Sequence, residues 1–321
     1  MKSKKQNSES LVDVRNRLAK PSMLKDLSDN DMVVSNGPLN TVVTDLITDS
    51  RRVTPGSAFF AIPGQRTDGN NYLEEAISRG AKTIISNQKN EDLPLGVASI
   101  QTNDPRLALA KFAKKHNIKK VVLTSSVAAI FDTMEKKSYY DETDWSDPKN
   151  PAISHYSKSK TLAERAAWDF VETHDDPFEL AVINPALVVG SSLSGDIGES
   201  NKAVQMVASG KMPVAVPLMF GYVDVKDVAA AHILAMQTPA SSGERFALAE
   251  KDLWYKDVAK LLIENGFDKA PTVGIPVWLA KIMANFSKEL KLTLPFLGRL
   301  RSINSSKAKN ILGWSPRPAE E

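Results

Sequence analysis

The sequence predicts an α/β fold in two parts, and three observations support this prediction. Short apolar runs alternate along the chain with longer segments of helical periodicity. Small polar residues or glycine follow these runs, as is typical where parallel strands end at one edge of a sheet. The runs also form two groups, separated by one helical segment from Arg106 to His116. We therefore expect a small α/β unit followed by a second parallel sheet with its own helices.

The first group of elements follows a polar N-terminal stretch. Residues 1–22 offer little apolar surface to bury, and a flexible tail or weak helix closed by Pro21 is expected there. Alternating and apolar patterns then predict four short strands and two helices. The strands are expected at 41–47, 58–62, 82–86 and 97–101, and the helices at 72–79 and 106–116.

The second group has the longer helices. Strands are expected at 119–124, 178–184 and 244–248, with helices at 154–173, 199–209, 225–237 and 254–265. In the first of these helices Leu162, Ala163 and Ala166 are expected to face the core, and Glu164 to point away. The segment from Trp278 to Phe286 is expected to be a lid-like helix of a substrate lobe, with its apolar residues in the core.

The composition excludes several classes of protein. Of the 321 residues 25% are charged and 42% hydrophobic, which is ordinary for a soluble globular protein, and the net charge of +3 is too small to indicate a nucleic-acid partner. Without cysteine the chain has no disulfide or zinc-thiolate site, and its four histidines lack metal-ligand spacing, so no metal is expected. We find no secretory signal and no membrane-spanning segment, and we expect a cytoplasmic protein. The oligomeric state stays open.

A candidate catalytic constellation joins the end of one strand to the start of a helix. The run Val121-Val122-Leu123 ends in Thr124-Ser125-Ser126, and Tyr156 and Lys160 follow at the start of a helical pattern. Residues four apart lie one above the other on a helix face. A phenol, with a pKa of about 10, needs a nearby cation to act as an acid or base at neutral pH. A lysine one turn away supplies that cation, and a serine can hydrogen-bond a substrate oxygen.

These residues belong to a wider resemblance. Residues from about 107 to 321 resemble the C-terminal part of an extended short-chain dehydrogenase/reductase of the dihydroflavonol-reductase and NAD-dependent epimerase group. The matching motifs are VVLTSSVAAI from Val121, YSKSK from Tyr156, INPALVVG from Ile183 and LGWSP from Leu312. The resemblance implies a Rossmann-type sheet, an NADP or NAD cofactor, and a small-molecule carbonyl or nucleotide-sugar substrate.

The same resemblance implies roles for individual residues. The catalytic trio is Ser126, with Ser125 as the alternative, Tyr156 and Lys160. Tyr156 and Lys160 also contact the cofactor. The residues that border the nicotinamide by analogy with the family are Asn184, Pro185 and Val188.

The N-terminal part resembles a different family. DSRRVTPG from Asp49, FFAIPG from Phe59 and DPRLALA from Asp104 are similar to the N-terminal domain of Mur ligases, the UDP-N-acetylmuramyl-tripeptide synthetases. In that family the domain holds the uridine and diphosphate of the precursor. The resemblance implies that Ser50 and the loop Gln65-Arg66-Thr67 contact a UDP ligand. The alternative, that Ser50 caps a turn and the loop is solvated, stays open.

Both resemblances are partial, and the missing parts limit the predicted function. No Gly-Lys-Ser/Thr follows the ligase-like part, which argues against ligase chemistry. The Gly-rich turn that seats a dinucleotide pyrophosphate is also absent before residue 120. We assign 1–22 to a tail, 23–112 to a Mur ligase N-terminal-like domain, and 113–321 to a reductase-like domain without its Gly-rich half. We expect an NAD(P)-dependent reductase or epimerase-like protein with impaired activity. The alternatives are a non-catalytic UDP-sugar binder related to peptidoglycan synthesis and an inactive fusion.

Overall fold

The structure is a computed structural model with two compact units. It describes residues 17–27, 32–38, 40–64, 68–90, 92–115, 118–135, 137–151, 153–174, 178–192 and 197–318. The units comprise residues 1–118 and 119–321, and each is described by itself.

A six-stranded sheet forms the first unit. Its strand order is β1-β3-β4-β5-β6-β2, in which the four inner strands are parallel and the two outer strands antiparallel to their neighbours. The strands are Arg17–Met23 (β1), Met32–Asn36 (β2), Val42–Ile47 (β3), Ala58–Ala61 (β4), Thr83–Ser86 (β5) and Ala98–Thr102 (β6). The helices are Leu24–Leu27 (α1), Leu73–Ser78 (α2) and Pro105–Lys115 (α3).

Strand β4 shows why this sheet is covered on both faces. All four of its residues are buried, and successive side chains of a strand point to opposite faces. Phe60 packs against Phe112 of α3, with ring centroids 5.4 Å apart in an edge-to-face arrangement. Phe59 lies in a second apolar cluster with Ala76 of α2. A continuous apolar run is therefore what this strand requires.

The predicted strands and helices of the first unit are confirmed to within one residue at each end. The prediction for residues 1–22 differs from Arg17 onward, because β1 pairs its backbone with β3. Pro21 lies in an edge strand, where the register with β3 shifts between Arg17 and Ser22, and such irregular edge positions tolerate a residue without an N–H. Residues 1–16 lie outside the described residues.

The second unit has a three-stranded parallel sheet in the order β12-β9-β7. A second sheet, β10-β11-β13, and a strand pair, β14-β8, accompany it. The strands are Lys120–Thr124 (β7), Tyr139–Tyr140 (β8), Glu179–Pro185 (β9), Leu187–Val189 (β10), Met219–Asp224 (β11), Glu244–Leu248 (β12), Lys251–Trp254 (β13) and Ser302–Ile303 (β14). The helices are His155–Thr173 (α4), Gly198–Ala208 (α5), Val225–Gln237 (α6), Tyr255–Glu264 (α7), Val277–Met283 (α8), Lys288–Thr293 (α9) and Ser306–Leu312 (α10).

Helices cover the two faces of the β12-β9-β7 sheet. Ile183 of β9 and Phe246 of β12 are buried in one apolar cluster with residues of α6 and α10. The next residue of β9, Asn184, points to the opposite face and contacts α4. The sheet thus lies between α6 and α10 on one side and α4 on the other. The predicted α/β class with a parallel sheet is confirmed, and the predicted strands and four helices of this unit agree to within one residue at each end.

Two predictions of burial in this unit are wrong. Helix α4 buries Thr161 and Glu164 and exposes Leu162, Ala163 and Ala166, so the helix is rotated relative to the prediction. The apolar residues Trp278, Ile282 and Phe286 near α8 are also exposed, whereas a core stripe was expected. The opposite side of α8 supplies the core instead, through the fully buried Ala280.

Candidate active site

Tyr156 and Lys160 lie in the first two turns of α4. Ser154 caps this helix, since its hydroxyl oxygen accepts a hydrogen bond of 2.9 Å from the Ser157 N–H. Tyr156 is 48% exposed, and Lys160 is half-buried. The Lys160 Nζ lies 5.9 Å from the centroid of the Tyr156 ring. The two side chains therefore share one face of the helix, as their spacing predicts.

Ser125 and Ser126 lie directly after β7, and both are buried. The Ser126 Oγ accepts a hydrogen bond of 3.1 Å from the Ala128 N–H and so begins a short 3-10 turn, Val127–Ala129. Helix α4 packs against this turn. The Ser125 Oγ has no hydrogen-bond partner within the described part of the chain. The structure thus brings the strand-end serines to the helix that carries Tyr156 and Lys160.

Asn184 supports the Ser126 segment. It is fully buried in β9, and its side-chain Nδ2 donates to the Ser126 carbonyl oxygen at 3.2 Å and to Glu164 Oε2 at 2.7 Å. Pro185 is buried at the end of the same strand, and Val188 in β10 is half-buried against the α6 side of the sheet. Contact of these three residues with a nicotinamide stays a prediction.

A buried ion pair lies one helical turn beyond Lys160 on α4, and it was not predicted from the sequence. Glu164 is completely buried, and its Oε1 lies 2.5 Å from the Nε of Arg245 in β12. Arg245 Nη1 also donates to the carbonyl oxygens of Glu142 and Asp144, at 2.8 and 2.9 Å. The guanidinium stacks 3.7 Å from the centroid of the Trp145 ring. One feature of the sequence could have revealed Glu164, since it continues the spacing of four residues that relates Tyr156 to Lys160.

Glu142 makes the stability of this region depend on pH. Its carboxylate accepts the Ala247 N–H at 2.9 Å, but burial dominates and raises the pKa of the carboxyl above its ordinary value. The unfolded chain, in which the pKa of this carboxyl is about 4.5, therefore loses the proton more easily than the folded protein does. As the pH rises from about 4.5 through the higher pKa of the folded state, folding becomes less favourable. We expect Glu142→Gln, which keeps the acceptor for Ala247, to unfold at a higher temperature than the wild type at pH 7. The difference should shrink on acidification to pH 4. Melting curves from pH 4 to 8 measure this, and a difference that grows towards acid would contradict it.

In the first unit, Ser50 is engaged within the protein. It begins a short 3-10 helix capped by Asp49, and its hydroxyl donates to Glu75 Oε2 at 2.6 Å. This hydrogen bond is the main reason that the pKa of the Glu75 carboxyl lies below its ordinary value. The other residues predicted to contact UDP, Gln65, Arg66 and Thr67, lie outside the described residues. Contact of Ser50 with a UDP ligand stays a prediction.

Among the residues that the structure describes, Tyr156 and Lys160 fit one end of a dinucleotide, and no fit to the other end is found. An exposed phenol and an ammonium one turn apart suit the ribose of the nicotinamide end. The pyrophosphate end requires several neighbouring glycines that leave room for a phosphate. Of the four described glycines with positive φ in the first unit, only Gly96 has open space around an added Cβ, and it stands alone. A Cβ at Gly37 would meet Ala98 Cα at 2.6 Å, one at Gly56 would meet Thr44 Oγ1 at 2.8 Å, and one at Gly80 would meet Pro55 Cα at 2.9 Å. These three glycines are therefore required by packing within the protein.

Two features bear on the broader class of the protein. Within the residues described, no helix is both long enough and apolar enough to cross a membrane. The same residues contain no group of three or more His, Cys, Asp or Glu side chains placed to hold a metal ion.

Several curated proteins to which this chain is similar are reductases. Cinnamoyl-CoA reductase 1 of Petunia hybrida is 38% identical over 155 residues, which cover 47% of this chain and 45% of the relative. NADPH-dependent methylglyoxal reductase GRE2 of Saccharomyces cerevisiae is 32% identical over 169 residues, which cover 46% of this chain and 48% of the relative. The chain thus spans about half the length of the curated relatives that it matches.

Solved structures and one of two matching family models agree with these relatives. Yeast methylglyoxal/isovaleraldehyde reductase Gre2 complexed with NADPH matches with a TM-score of 0.52 and 27% identity, over 74% of this chain and 73% of that one. Vestitone reductase from alfalfa (Medicago sativa) has a TM-score of 0.54 at 18% identity, over 82% of this chain and 78% of that one, and so shows the fold. Residues 43–117 match the model of the Mur ligase family, catalytic domain, as the N-terminal motifs predict. Because residues 87–249, half of the sequence, match the second family model, the chain belongs to the NAD-dependent epimerase/dehydratase family.

Proposed function

We propose that the chain carries the proton-donating part of an NAD(P)H-dependent carbonyl reductase and that its turnover is impaired. The observation that carries the proposal is the arrangement of Tyr156 and Lys160 on one face of α4, which packs on the turn capped by Ser126. The relatives support the class of substrate, because one is named for methylglyoxal and another for cinnamoyl-CoA. A small carbonyl compound is therefore the proposed substrate, and NADPH the first cofactor to test.

Each residue of the trio has a separate task. The nicotinamide, when bound, supplies a hydride to the carbonyl carbon. Tyr156 gives its hydroxyl proton to the carbonyl oxygen as negative charge develops there, and the Lys160 ammonium stabilises the phenolate that remains. Ser126 donates a hydrogen bond to the same oxygen and holds the substrate in line. This role requires the Ser126 Oγ to lie within a few ångströms of the Tyr156 hydroxyl, so that both reach the same substrate oxygen, and we propose this arrangement for the bound state.

The impairment follows from the missing phosphate cradle. A dinucleotide gains much of its affinity from backbone N–H groups at a Gly-rich turn. Losing contacts to a charged group costs about 1.5–3 kcal/mol each, so several lost contacts weaken binding by orders of magnitude. Tyr156 and Lys160 orient the ribose end but supply little of this binding.

Two alternatives give different results in one experiment. The match of residues 43–117 to the Mur ligase model supports a non-catalytic binder of a nucleotide-sugar, in which Ser50 and the loop 65–67 would contact UDP. An inactive fusion would bind neither ligand. In all three cases we propose that the ligase-like part ends at residue 112 and the reductase-like part begins at 113, within α3.

Titration calorimetry with NADPH and with a UDP-muramyl ligand, together with a turnover assay, separates these possibilities. We expect weak NADPH binding, with a dissociation constant in the high micromolar range or above, and slow reduction of an aromatic aldehyde. Tight NADPH binding with fast turnover would remove the impairment from the proposal. Binding of the UDP ligand without turnover would replace the proposal with the binder, and no binding of either ligand with no turnover would leave the inactive fusion.

A further inference from the structure

We propose that Glu164 and Asn184 are positioning residues that fix the Ser126 segment against the helix carrying Tyr156. The inference rests on the proposed function for the role of Ser126, although the hydrogen bonds that carry it stand by themselves. Glu164 holds the Asn184 side-chain amide, and that amide holds the Ser126 carbonyl oxygen.

The position of Glu164 on α4 gives the first argument. Tyr156, Lys160 and Glu164 are spaced four residues apart and so lie along one side of the helix. Exposure falls along this row, from 48% at Tyr156 to half-buried at Lys160 and 0% at Glu164. The buried end of the row is attached to the sheet through Arg245, which fixes the rotation of the helix about its axis. The exposed end presents the two reactive groups.

Asn184 gives the second argument. Its Nδ2 has two acceptors, Glu164 Oε2 and the Ser126 carbonyl oxygen, while its Oδ1 is buried with no partner among the residues described. The Ser126 carbonyl oxygen also accepts the Ala129 N–H at 2.9 Å, and the Ser126 Oγ accepts the Ala128 N–H. The 3-10 turn after Ser126 is therefore held from within by its own backbone and from outside by Asn184.

The orientation of the Asn184 amide follows from the charge of Glu164. A carboxylate only accepts hydrogen bonds, so it selects the NH₂ side of the amide and leaves the oxygen unpaired. The double variant Glu164→Gln/Asn184→Asp exchanges the carboxylate and the amide between the two positions, and it tests this point. The glutamine can accept from Arg245 and donate to the new aspartate, so one carboxylate and one amide remain. The aspartate has no donor for the Ser126 carbonyl oxygen, so that hydrogen bond is lost, and Glu164→Gln also removes the carboxylate that contacts Arg245.

Hydrogen exchange and kinetics of the double variant test the proposal. We expect the amides of Ala128 and Ala129 to exchange about tenfold faster, which corresponds to the loss of one hydrogen bond. The single variant Glu164→Gln also lacks the carboxylate at Arg245 but keeps the Asn184 amide, so it is the reference for exchange in β12 and for the melting temperature. The double variant should match this reference in both. We expect kcat for carbonyl reduction to fall about 10²-fold with little change in KM, because a misplaced group costs rate more than binding. Unchanged exchange at Ala128 and Ala129 would overturn the proposal.

Two further variants keep the test decisive. Glu142→Gln changes another buried acid beside Arg245 without touching Asn184, and it should leave the exchange of the Ser126 turn unchanged. Asn184→Ala removes the amide without adding a charge, and it replaces the double variant if that does not fold. Faster exchange over the whole second unit in Asn184→Ala would show a merely structural role and overturn the proposal. If the wild type has no turnover, the proposed function fails, but the exchange measurement still decides whether Asn184 holds the Ser126 turn.

Discussion

Tyr156→Phe is expected to lower the rate of carbonyl reduction by about 10²–10⁴-fold, the range that a positioned general acid contributes. The phenylalanine keeps the ring beside Lys160 but has no proton to donate to the carbonyl oxygen. NADPH binding should change little, since the ring and the Lys160 ammonium both remain. The measurement is the initial rate of NADPH consumption with an aromatic aldehyde, at enzyme concentrations high enough to detect slow turnover.

Tyr139→Phe is the matched control for this prediction. Tyr139 lies in the same unit and is 54% exposed, similar to Tyr156, but it belongs to the short strand β8. Its variant should keep the wild-type rate. Equal rates for the wild type and Tyr156→Phe would show that the observed turnover comes from another site or another protein.

The strands and helices were predictable because local sequence carries most of their signal. The apolar runs AFFA in β4 and VVL in β7 indicate strands, and the small polar residues after them mark the strand ends. The structure buries AFFA completely and VVL partly. Seven of the described strands were not predicted, namely β1, β2, β8, β10, β11, β13 and β14. Strand β1 contains Pro21, and β10 has only three residues, so neither shows a sufficient pattern.

The rotation of α4 could not be predicted from local sequence. Hydropathy places the charged Glu164 outside and Leu162 inside, and the structure has the reverse. The partners that make burial of Glu164 possible are distant, since Asn184 is 20 residues away along the chain and Arg245 is 81 residues away. A carboxylate is buried only where it is paired and hydrogen-bonded, and those partners become visible only in the fold. Tyr156 and Lys160 were predictable because their relationship lies within a single helical turn.

Arg245→Met is expected to lower the free energy of unfolding of the second unit by about 3–5 kcal/mol, the cost of removing one partner of a buried ion pair. Glu164 would keep its hydrogen bond from Asn184 but would face an apolar group on its other side. Its carboxylate would then be a buried charge without a counter-ion. The two carbonyl oxygens that Arg245 Nη1 reaches, those of Glu142 and Asp144, would also lose a donor. Urea unfolding followed by tryptophan fluorescence measures this, because all five tryptophans follow residue 118 and report the second unit alone.

The variant Arg165→Met is the control that separates the contribution of the ion pair to stability from the contribution of stacking on Trp145. The guanidinium of Arg165 lies 4.6 Å from the centroid of the Trp145 ring, on which Arg245 also stacks. Arg165 differs from Arg245 in being exposed on the solvent side of α4. This variant should cost only about 0.5–1 kcal/mol, the value of an exposed cation–π contact.

Adding Glu164→Gln to Arg245→Met removes the unpaired charge and keeps an acceptor for Asn184, so the double variant should recover at least half of the lost stability. A cost below about 1 kcal/mol for Arg245→Met alone would mean that water reaches Glu164, and that the helix carrying Tyr156 is held by apolar packing instead of by this ion pair.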